Sequence, residues 1–322
     1  MEQKLQQLKE TLATLADLGG AQSLLSWDQQ TYMPPGAAEM RGQQLASLGK
    51  ITHDIGTSAE FGKLIDELKP YAASLDPDSD DARLIKFASR DFELATRVPA
   101  DFIVEQTQVI ALANQAWAEA RAKSDFSIFR PHLEKIIELT HRYIGFFPPA
   151  DHPYDTLLDN FEPGMKTADV KAIFEGLRPQ QVELIKAISE KPLVDDSFLH
   201  QPFDEQKQWD FGVEVITKFG YDWQRGRQDK SAHPFTGGPG VNDVRITTRV
   251  APDFLNSMLF GSMHEAGHAM YDQGTGQNLL RTNLAGGASM AVHESQSRMW
   301  ENLVGRSMAF LKYFYPKLVK LF

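Results

Sequence analysis

The sequence predicts a mainly α-helical protein with one small β-sheet, and three observations carry this prediction. Apolar residues recur with helical spacing over most of the 322 residues, beginning with a stripe of leucines at positions 5, 8, 12 and 15 that ends at Gly19-Gly20. One segment after Gly240, ending at Val250, alternates between apolar and polar residues as a half-buried strand does. No long linker, internal repeat or low-complexity tract interrupts the chain. We therefore expect a single helical domain over residues 1–322.

The remaining elements follow from the same spacing. Five more helices are predicted in the first half of the chain, over residues 36–48, 59–68, 80–96, 100–122 and 128–146. A helix over 254–272 is framed by Pro252 and Gly274 and carries an apolar stripe. A loop rich in Gly, Asn and Thr then leads to a last helix over 290–311. We expect residues 1–150 to form a helical part that covers a cleft, and residues 230–310 to carry its chemistry.

Composition excludes several classes of function. The net charge is −10 and no basic cluster offsets it, so we expect no nucleic-acid partner. No apolar run is long enough to span a bilayer, and residues 1–10 are polar and charged, unlike a secretory signal. The chain contains no cysteine, which excludes disulfides and thiolate metal sites and is compatible with a reducing compartment. We expect a cytoplasmic protein with no membrane partner.

The run His264-Glu265-Ala266-Gly267-His268 is the most specific signal in the sequence. Residues four apart lie on one face of a helix, so both imidazoles can reach one metal ion. Glu265 lies one step round the helix, where it can take a proton from a metal-bound water. The competing interpretation is a buried helix whose two histidines are satisfied by hydrogen bonds. The pattern favours zinc-assisted hydrolysis, most often of a peptide bond.

A catalytic zinc usually has three protein ligands, so a third ligand is needed from elsewhere. The metzincin pattern is excluded because Tyr271 and Gly274 occupy its Gly and His positions. Glu294, near the start of the last predicted helix, is our choice, and spacing alone leaves a solvated surface Glu equally possible. His293 is a rival ligand, or a group that orients a ligand or substrate. For Glu301, we favour a solvated side chain over one that accepts a hydrogen bond from a ligand histidine.

The predicted strand before the motif offers substrate-binding candidates. Asp243 and Arg245 fall on its polar side, and an arginine can hold a carboxylate through two parallel hydrogen bonds. As an edge strand it would pair with an extended peptide. A structural hairpin with a solvated polar face is an equally good interpretation.

Together these residues resemble the carboxypeptidase Taq family of metallocarboxypeptidases. The family's His-Glu-x-x-His, His-Glu-Ser-Gln and Asp-x-Arg-x-Thr patterns occur at His264, His293 and Asp243, in the family's order. Further matches run from Ser26-Trp27-Asp28 to His233-Pro234-Phe235, so the resemblance spans nearly the whole chain.

The resemblance implies a multi-helical, zincin-like metallopeptidase that removes single residues from peptides with a free C-terminus. It assigns His264, His268 and Glu294 as ligands of zinc, with cobalt as a substitute, and Glu265 as general base. Asp243, Arg245 and His293 become substrate-cleft candidates. Members of the family are longer, and their Ile-Arg-x-x-Ala-Asp and Gly-x-x-Gln motifs do not follow the metal site here. We therefore expect a chain that is incomplete at its C-terminus, with a full metal site and part of a substrate pocket.

Two other functions stay open, and so does the assembly. A short-peptide oligopeptidase would use the same metal chemistry, and a catalytically silent fragment would fold and bind metal without turnover. The apolar amphipathic stretch over residues 310–322 exposes hydrophobic surface unless more chain or another subunit covers it, and we expect a homodimer.

Overall fold

The computed structural model describes residues 1–322 and confirms the mainly helical fold. Its α-helices are α1 (Glu2–Thr31), α2 (Ala38–Gly56), α3 (Ala59–Ala72), α4 (Asp80–Ala95), α5 (Ala100–Lys123), α6 (Phe126–Ile144), α7 (Pro153–Leu158), α8 (Thr167–Ser189), α9 (Glu205–Phe219), α10 (Leu255–Gln273), α11 (Met290–Arg298) and α12 (Met308–Leu321). Its strands are β1 (Gly226–Lys230), β2 (Thr236–Gly240) and β3 (Asp243–Thr248). The five helices predicted between residues 36 and 146 are all present, whereas α7, α8 and α9 were not predicted.

The strand predicted before the motif lies in the centre of the sheet. The strand order is β1-β3-β2, with β1 parallel and β2 antiparallel to β3. The expectation that this strand is an edge able to pair with a peptide is therefore wrong. Both sides of β3 are already hydrogen-bonded, and β2 and β1 form the edges of the sheet. Pairing between β1 and β3 is non-local, which is why the alternating pattern alone did not reveal it.

The N-terminal helices pack around a hydrophobic core that includes leucines of the predicted stripe. Leu5, Leu8 and Leu12 of α1 are buried against residues of α3 and α4. Ser58 and Ser79 cap α3 and α4 by accepting a backbone N–H. These capped, amphipathic helices share a buried core with the first part of α1.

The sequence predicted that the first helix ends at Gly19-Gly20, and this prediction is wrong. Helix α1 continues to Thr31. A Cβ at Gly20 would lie 2.6 Å from the carbonyl oxygen of Pro239 in β2. Gly20 is therefore required for the close approach of α1 to the sheet and does not mark a helix end. The packing of distant chain segments overrides the local stop signal at this position.

The last predicted helix, over 290–311, is also corrected. Helix α11 ends at Arg298, a π-helical turn follows over Met299–Val304, and α12 starts at Met308 with Ser307 as its cap. A Cβ at Gly305 would lie 2.5 Å from Sδ of Met263, so glycine at this position allows the chain between α11 and α12 to approach α10 closely. Leu303 and Met308 are exposed, whereas Phe310 and Phe314 are buried near α9 and α10.

The loop between α10 and α11 is tied to the N-terminal helices. Arg281 pairs with Asp17 of α1, and Asn278 and Asn283 donate to Asp80 and Asp91 at distances of 2.6 and 3.1 Å. Leu284 of the same loop packs on the N-terminal core. The two helices that flank this loop are thereby held in register with the N-terminal part.

Helix α8 has no buried residue, and its apolar side chains, including Phe174 and Ile185, are exposed. None of the helices combines the length and the hydropathy that crossing a bilayer requires.

Candidate metal centre

Helix α10 presents both histidines of the motif to one side. Its predicted apolar stripe is confirmed: Leu255, Met258, Leu259, Met263 and Ala266 are buried, among them residues that pack on β3 and α9. His264 and His268, four residues apart, therefore face away from this core, with their rings 4.9 Å apart.

Helix α11 brings Glu294 to the two histidines. Nε2 of His264 lies 3.8 Å from Oε2 of Glu294, and Nε2 of His268 lies 3.9 Å from Oε1. The approach depends on Gly267, since a Cβ there would lie 2.7 Å from Cα of Ser297. Gly267 inside the motif is thus the residue that lets α11 pack close enough for Glu294 to reach the site.

The three side chains fit one metal ion. A ligand atom from each of His264, His268 and Glu294 lies within 4.8 Å of the others. Ligands about 2.0–2.1 Å from a tetrahedral ion are about 3.3 Å apart, so the two His–Glu separations of 3.8 and 3.9 Å are about half an ångström wider. Two imidazoles and one carboxylate form a set of donors that binds zinc and leaves a fourth position open. The structure brings the three predicted ligands together, and their role as ligands stays a prediction.

His264 is oriented by Glu301, contrary to our preference for a solvated Glu301. Nδ1 of His264 lies 2.9 Å from Oε2 of Glu301, whose side chain is only 12% exposed. Burial works to raise the pKa of Glu301, but hydrogen bonds from His264 and Arg306 outweigh it and hold the pKa below its usual value. Glu301 follows Glu294 by seven residues, so two turns of this segment place both carboxylates toward α10.

His268 is oriented by a different kind of partner. Its Nδ1 lies 2.8 Å from Nδ1 of His293, and Nε2 of His293 lies 3.0 Å from Oδ1 of Asp272. Burial, together with the neighbouring His264 and His293, lowers the pKa of His268 to about 4, and the hydrogen bond to Asp272 raises the pKa of His293. An unprotonated His268 is the form that can bind a metal.

Glu265 is buried beside the two histidines. Thr236 of β2 lies with Oγ1 2.7 Å from Oε2 of Glu265 and 2.9 Å from its carbonyl oxygen. Burial raises the pKa of Glu265, and the hydrogen bond from Thr236 opposes that shift. A carboxylate that is buried, with a raised pKa and a fixed orientation, has the properties of a general base.

Asp243 and Arg245 lie apart from this cluster. They form a two-hydrogen-bond pair at 2.8 and 2.7 Å, and the Arg245 guanidinium stacks 4.6 Å from the ring of Trp27 in α1. Val244 and Ile246, between and beside them on β3, pack on α10 instead. Because side chains alternate along a strand, Asp243 and Arg245 face α1 on the other side of the sheet.

Three residues of the centre were missed from the sequence. Asp272 follows His268 by one turn of α10, which is a signal that the spacing contained. Gly267 also carried a signal, because glycine inside a helix often permits close approach. Thr236 carried none, since only the antiparallel pairing of β2 with β3 brings it to Glu265.

The fold and the site together define a class of protein. A His-Glu-x-x-His helix, a glutamate from the next helix and a buried glutamate between them are the arrangement of a zincin-like metallopeptidase. The model of the carboxypeptidase Taq (M32) metallopeptidase family matches residues 7–322, and the chain belongs to that family.

Individual relatives agree with the family. The chain is 37% identical to thermostable carboxypeptidase 1 of Thermus thermophilus, a match that covers 99% of the chain and 64% of that protein. It is 35% identical to carboxypeptidase 1 of Bacillus subtilis, covering 96% of the chain and 62% of that protein.

Solved structures give the same result. The M32 carboxypeptidase of Deinococcus radiodurans superposes with a TM-score of 0.86 at 42% identity, and a Pyrococcus furiosus carboxypeptidase with 0.86 at 34%. Both superpositions cover 99% of this chain and 64% of the solved chain. The chain thus spans slightly less than two thirds of the length of these relatives.

Proposed function

We propose that this chain carries the metal centre of a carboxypeptidase that releases single C-terminal amino acids from peptides. The observation that carries the proposal is the convergence of His264 and His268 on Glu294, with Glu265 buried beside them. The restriction to C-terminal residues is taken from the relatives, which are named carboxypeptidases.

Zinc is the metal we propose, with cobalt as a substitute. His264, His268 and Glu294 would hold it. Two imidazoles and a carboxylate are donors that suit zinc, whereas calcium and magnesium prefer sites made only of oxygen donors. When bound, the metal would polarise the scissile carbonyl and lower the pKa of a water molecule.

Glu265 is proposed as general base and then general acid. Thr236 holds one carboxylate oxygen, Oε2, which leaves Oε1 free to take a proton from the attacking water. Glu265 then passes that proton to the departing amine. Its raised pKa suits both steps, because a group that must accept and return a proton works best near the operating pH.

Asp243 and Arg245 are proposed to build the sheet side of the cleft. Their hydrogen bonds are made with each other, and Arg245 also stacks on Trp27, which favours support of the wall over direct capture of a substrate carboxylate. His293 contacts His268, so we propose that it acts on the metal centre.

Assembly and location complete the proposal. We propose a homodimer in the cytoplasm that acts on peptides with a free C-terminus. The exposed apolar side chains of α8 and α12 support self-association. Sedimentation of the purified chain measures its mass directly, and a monomer at all concentrations would refute the dimer.

The function is tested with matched peptides that carry a free or an amidated C-terminus. We expect the zinc-loaded chain to release the last residue from the free peptide only, and Glu265→Gln to abolish release while retaining zinc. Internal cleavage of both peptides would establish an oligopeptidase instead.

The second candidate is a protein that folds and binds metal without turnover. Zinc binding without hydrolysis of either peptide would establish it.

A further inference from the structure

We propose that His293 and Asp272 are positioning residues that fix the ring of His268 for metal binding, and that Gly287 provides the space this requires. The inference rests on the proposed metal centre. It assigns His293 to the support of a ligand, and it gives roles to Asp272 and Gly287, which lie outside the motifs of the sequence.

The directions of the hydrogen bonds follow from the ring that binds the metal. Nε2 of His268 lies on the side of Glu294, where the proposed metal would take its lone pair, so the hydrogen of the neutral ring would be on Nδ1. Nδ1 of His293, at 2.8 Å, must then accept, which requires the neutral ring of His293 with its hydrogen on Nε2. Nε2 donates to Oδ1 of Asp272 at 3.0 Å. Each donor in this chain of three residues meets an acceptor.

His293 has no free nitrogen for a substrate. Both ring nitrogens are engaged, one by His268 and one by Asp272, and the side chains of His293 and Asp272 are each only 22% exposed. Binding a substrate through His293 would require breaking one of these contacts. The geometry therefore favours a role in orienting His268.

The loop before α11 closes around His293. A Cβ at Gly287 would overlap the His293 ring, approach Nε2 to 2.9 Å and lie 3.2 Å from Cε1 of Tyr271. The Tyr271 ring packs edge-on to His293 with centroids 5.1 Å apart. The ring cannot turn away from an added methyl group without losing its hydrogen bonds to His268 or Asp272. Gly287 is therefore a steric requirement of the arrangement.

The two ligand histidines are supported in different ways. Glu301 brings a carboxylate directly to His264, and Arg298 and Arg306 lie within 3.2 and 3.0 Å of that carboxylate. For His268, an imidazole stands between the ligand and the carboxylate of Asp272. Loss of either support should weaken metal binding, because the partner of a ligand histidine fixes both its tautomer and its orientation.

The test measures zinc affinity by competition with a chromogenic chelator, using folded protein verified by circular dichroism. We expect Asp272→Ala and Gly287→Ala to weaken zinc binding about 10- to 100-fold. Asp272→Asn keeps an acceptor for His293 and should recover most of the affinity. The control, Gly176→Ala, lies on α8 with nothing within 4 Å and should bind zinc like the unsubstituted chain.

A second measurement does not depend on zinc. In protein labelled with ¹⁵N histidine, we expect a coupling through the hydrogen bond between Nδ1 of His268 and Nδ1 of His293, and its loss in Gly287→Ala. Wild-type zinc affinity in both Asp272→Ala and Gly287→Ala, or absence of the coupling, would overturn the proposal. If the unsubstituted chain bound no zinc, the proposed metal centre would fail, and the coupling would still decide whether His268 and His293 are hydrogen-bonded.

Discussion

Oγ1 of Thr236 lies 2.7 Å from Oε2 of Glu265, which joins an edge strand of the sheet to the glutamate of the metal-site helix. The same hydroxyl lies 2.9 Å from the carbonyl oxygen of Glu265. One side chain of β2 therefore sets both the rotamer of the proposed base and its distance from the strand.

Thr236→Val should lower kcat for peptide hydrolysis about 5- to 10-fold with little change in KM, because one hydrogen bond worth about 1–1.5 kcal/mol no longer orients Glu265. Thr236→Ser restores the hydroxyl and should restore most of kcat. Steady-state kinetics of the three proteins at equal zinc content provide the measurement. Equal kcat in the valine variant would show that Glu265 is oriented without Thr236.

Glu294→Gln should reduce zinc affinity more than about 100-fold, because loss of a ligand exceeds the 10- to 100-fold cost of losing an outer partner. Glu301→Gln, which affects His264 only through its Nδ1, is the comparison and should lie within that smaller range. Chelator competition gives both affinities. Retained zinc in Glu294→Gln, combined with its loss in His293→Ala, would identify His293 as the third ligand.

Gly267→Ala should destabilise the protein by about 1–3 kcal/mol, because the added methyl group would meet the backbone of α11 at Ser297. Gly176→Ala, in the open on α8, should instead stabilise by about 0.5–1 kcal/mol through helix propensity. Urea unfolding gives both free energies. The variant at Gly267 should also lose zinc affinity, since α11 carries Glu294.

The chelator-treated protein should lose stability as the pH falls from 6.5 to about 4. The pKa of His268 is lowered from 6.5 to about 4 in the folded chain, so the unfolded state takes up this proton at the higher pH. The contribution is fully present above pH 6.5 and decreases at up to about 1.4 kcal/mol per pH unit within the window. The unfolding free energy of His268→Gln, measured in parallel, should lack this component. Identical slopes for the two proteins would contradict the shifted pKa.

Local patterns predicted much of the fold. The helices of the first half and α10 follow from apolar spacing, and the histidines of α10 follow from their separation of four residues. These features depend on one segment at a time. Predicting the third ligand required more than local spacing, because spacing left two roles for Glu294 equally possible, a metal ligand or a solvated surface residue. The family's His-Glu-Ser-Gln pattern favoured the ligand.

Contacts between distant segments account for what the sequence did not predict. The sequence predicts a helix end at Gly20, yet this residue lies inside α1, where Pro239 packs against it. The sequence predicts a solvated side chain at Glu301, yet this side chain is mostly buried because its segment packs on α10. The central position of β3 depends on β1, a short polar segment with no alternation to mark it. In each case the deciding partner is far away in the chain.

The loop that joins α10 to α11 has a consequence for how the metal and the fold depend on each other. Two of the proposed ligands precede this loop and the third follows it, and the loop itself is held by Asp17, Asp80 and Asp91 of α1 and α4. Detachment of those N-terminal helices would release Glu294 from its fixed position relative to His264 and His268. Metal binding at the proposed site would therefore be thermodynamically linked to docking of the N-terminal helices, because a bound ion would stabilise the arrangement in which the two halves of the chain are assembled.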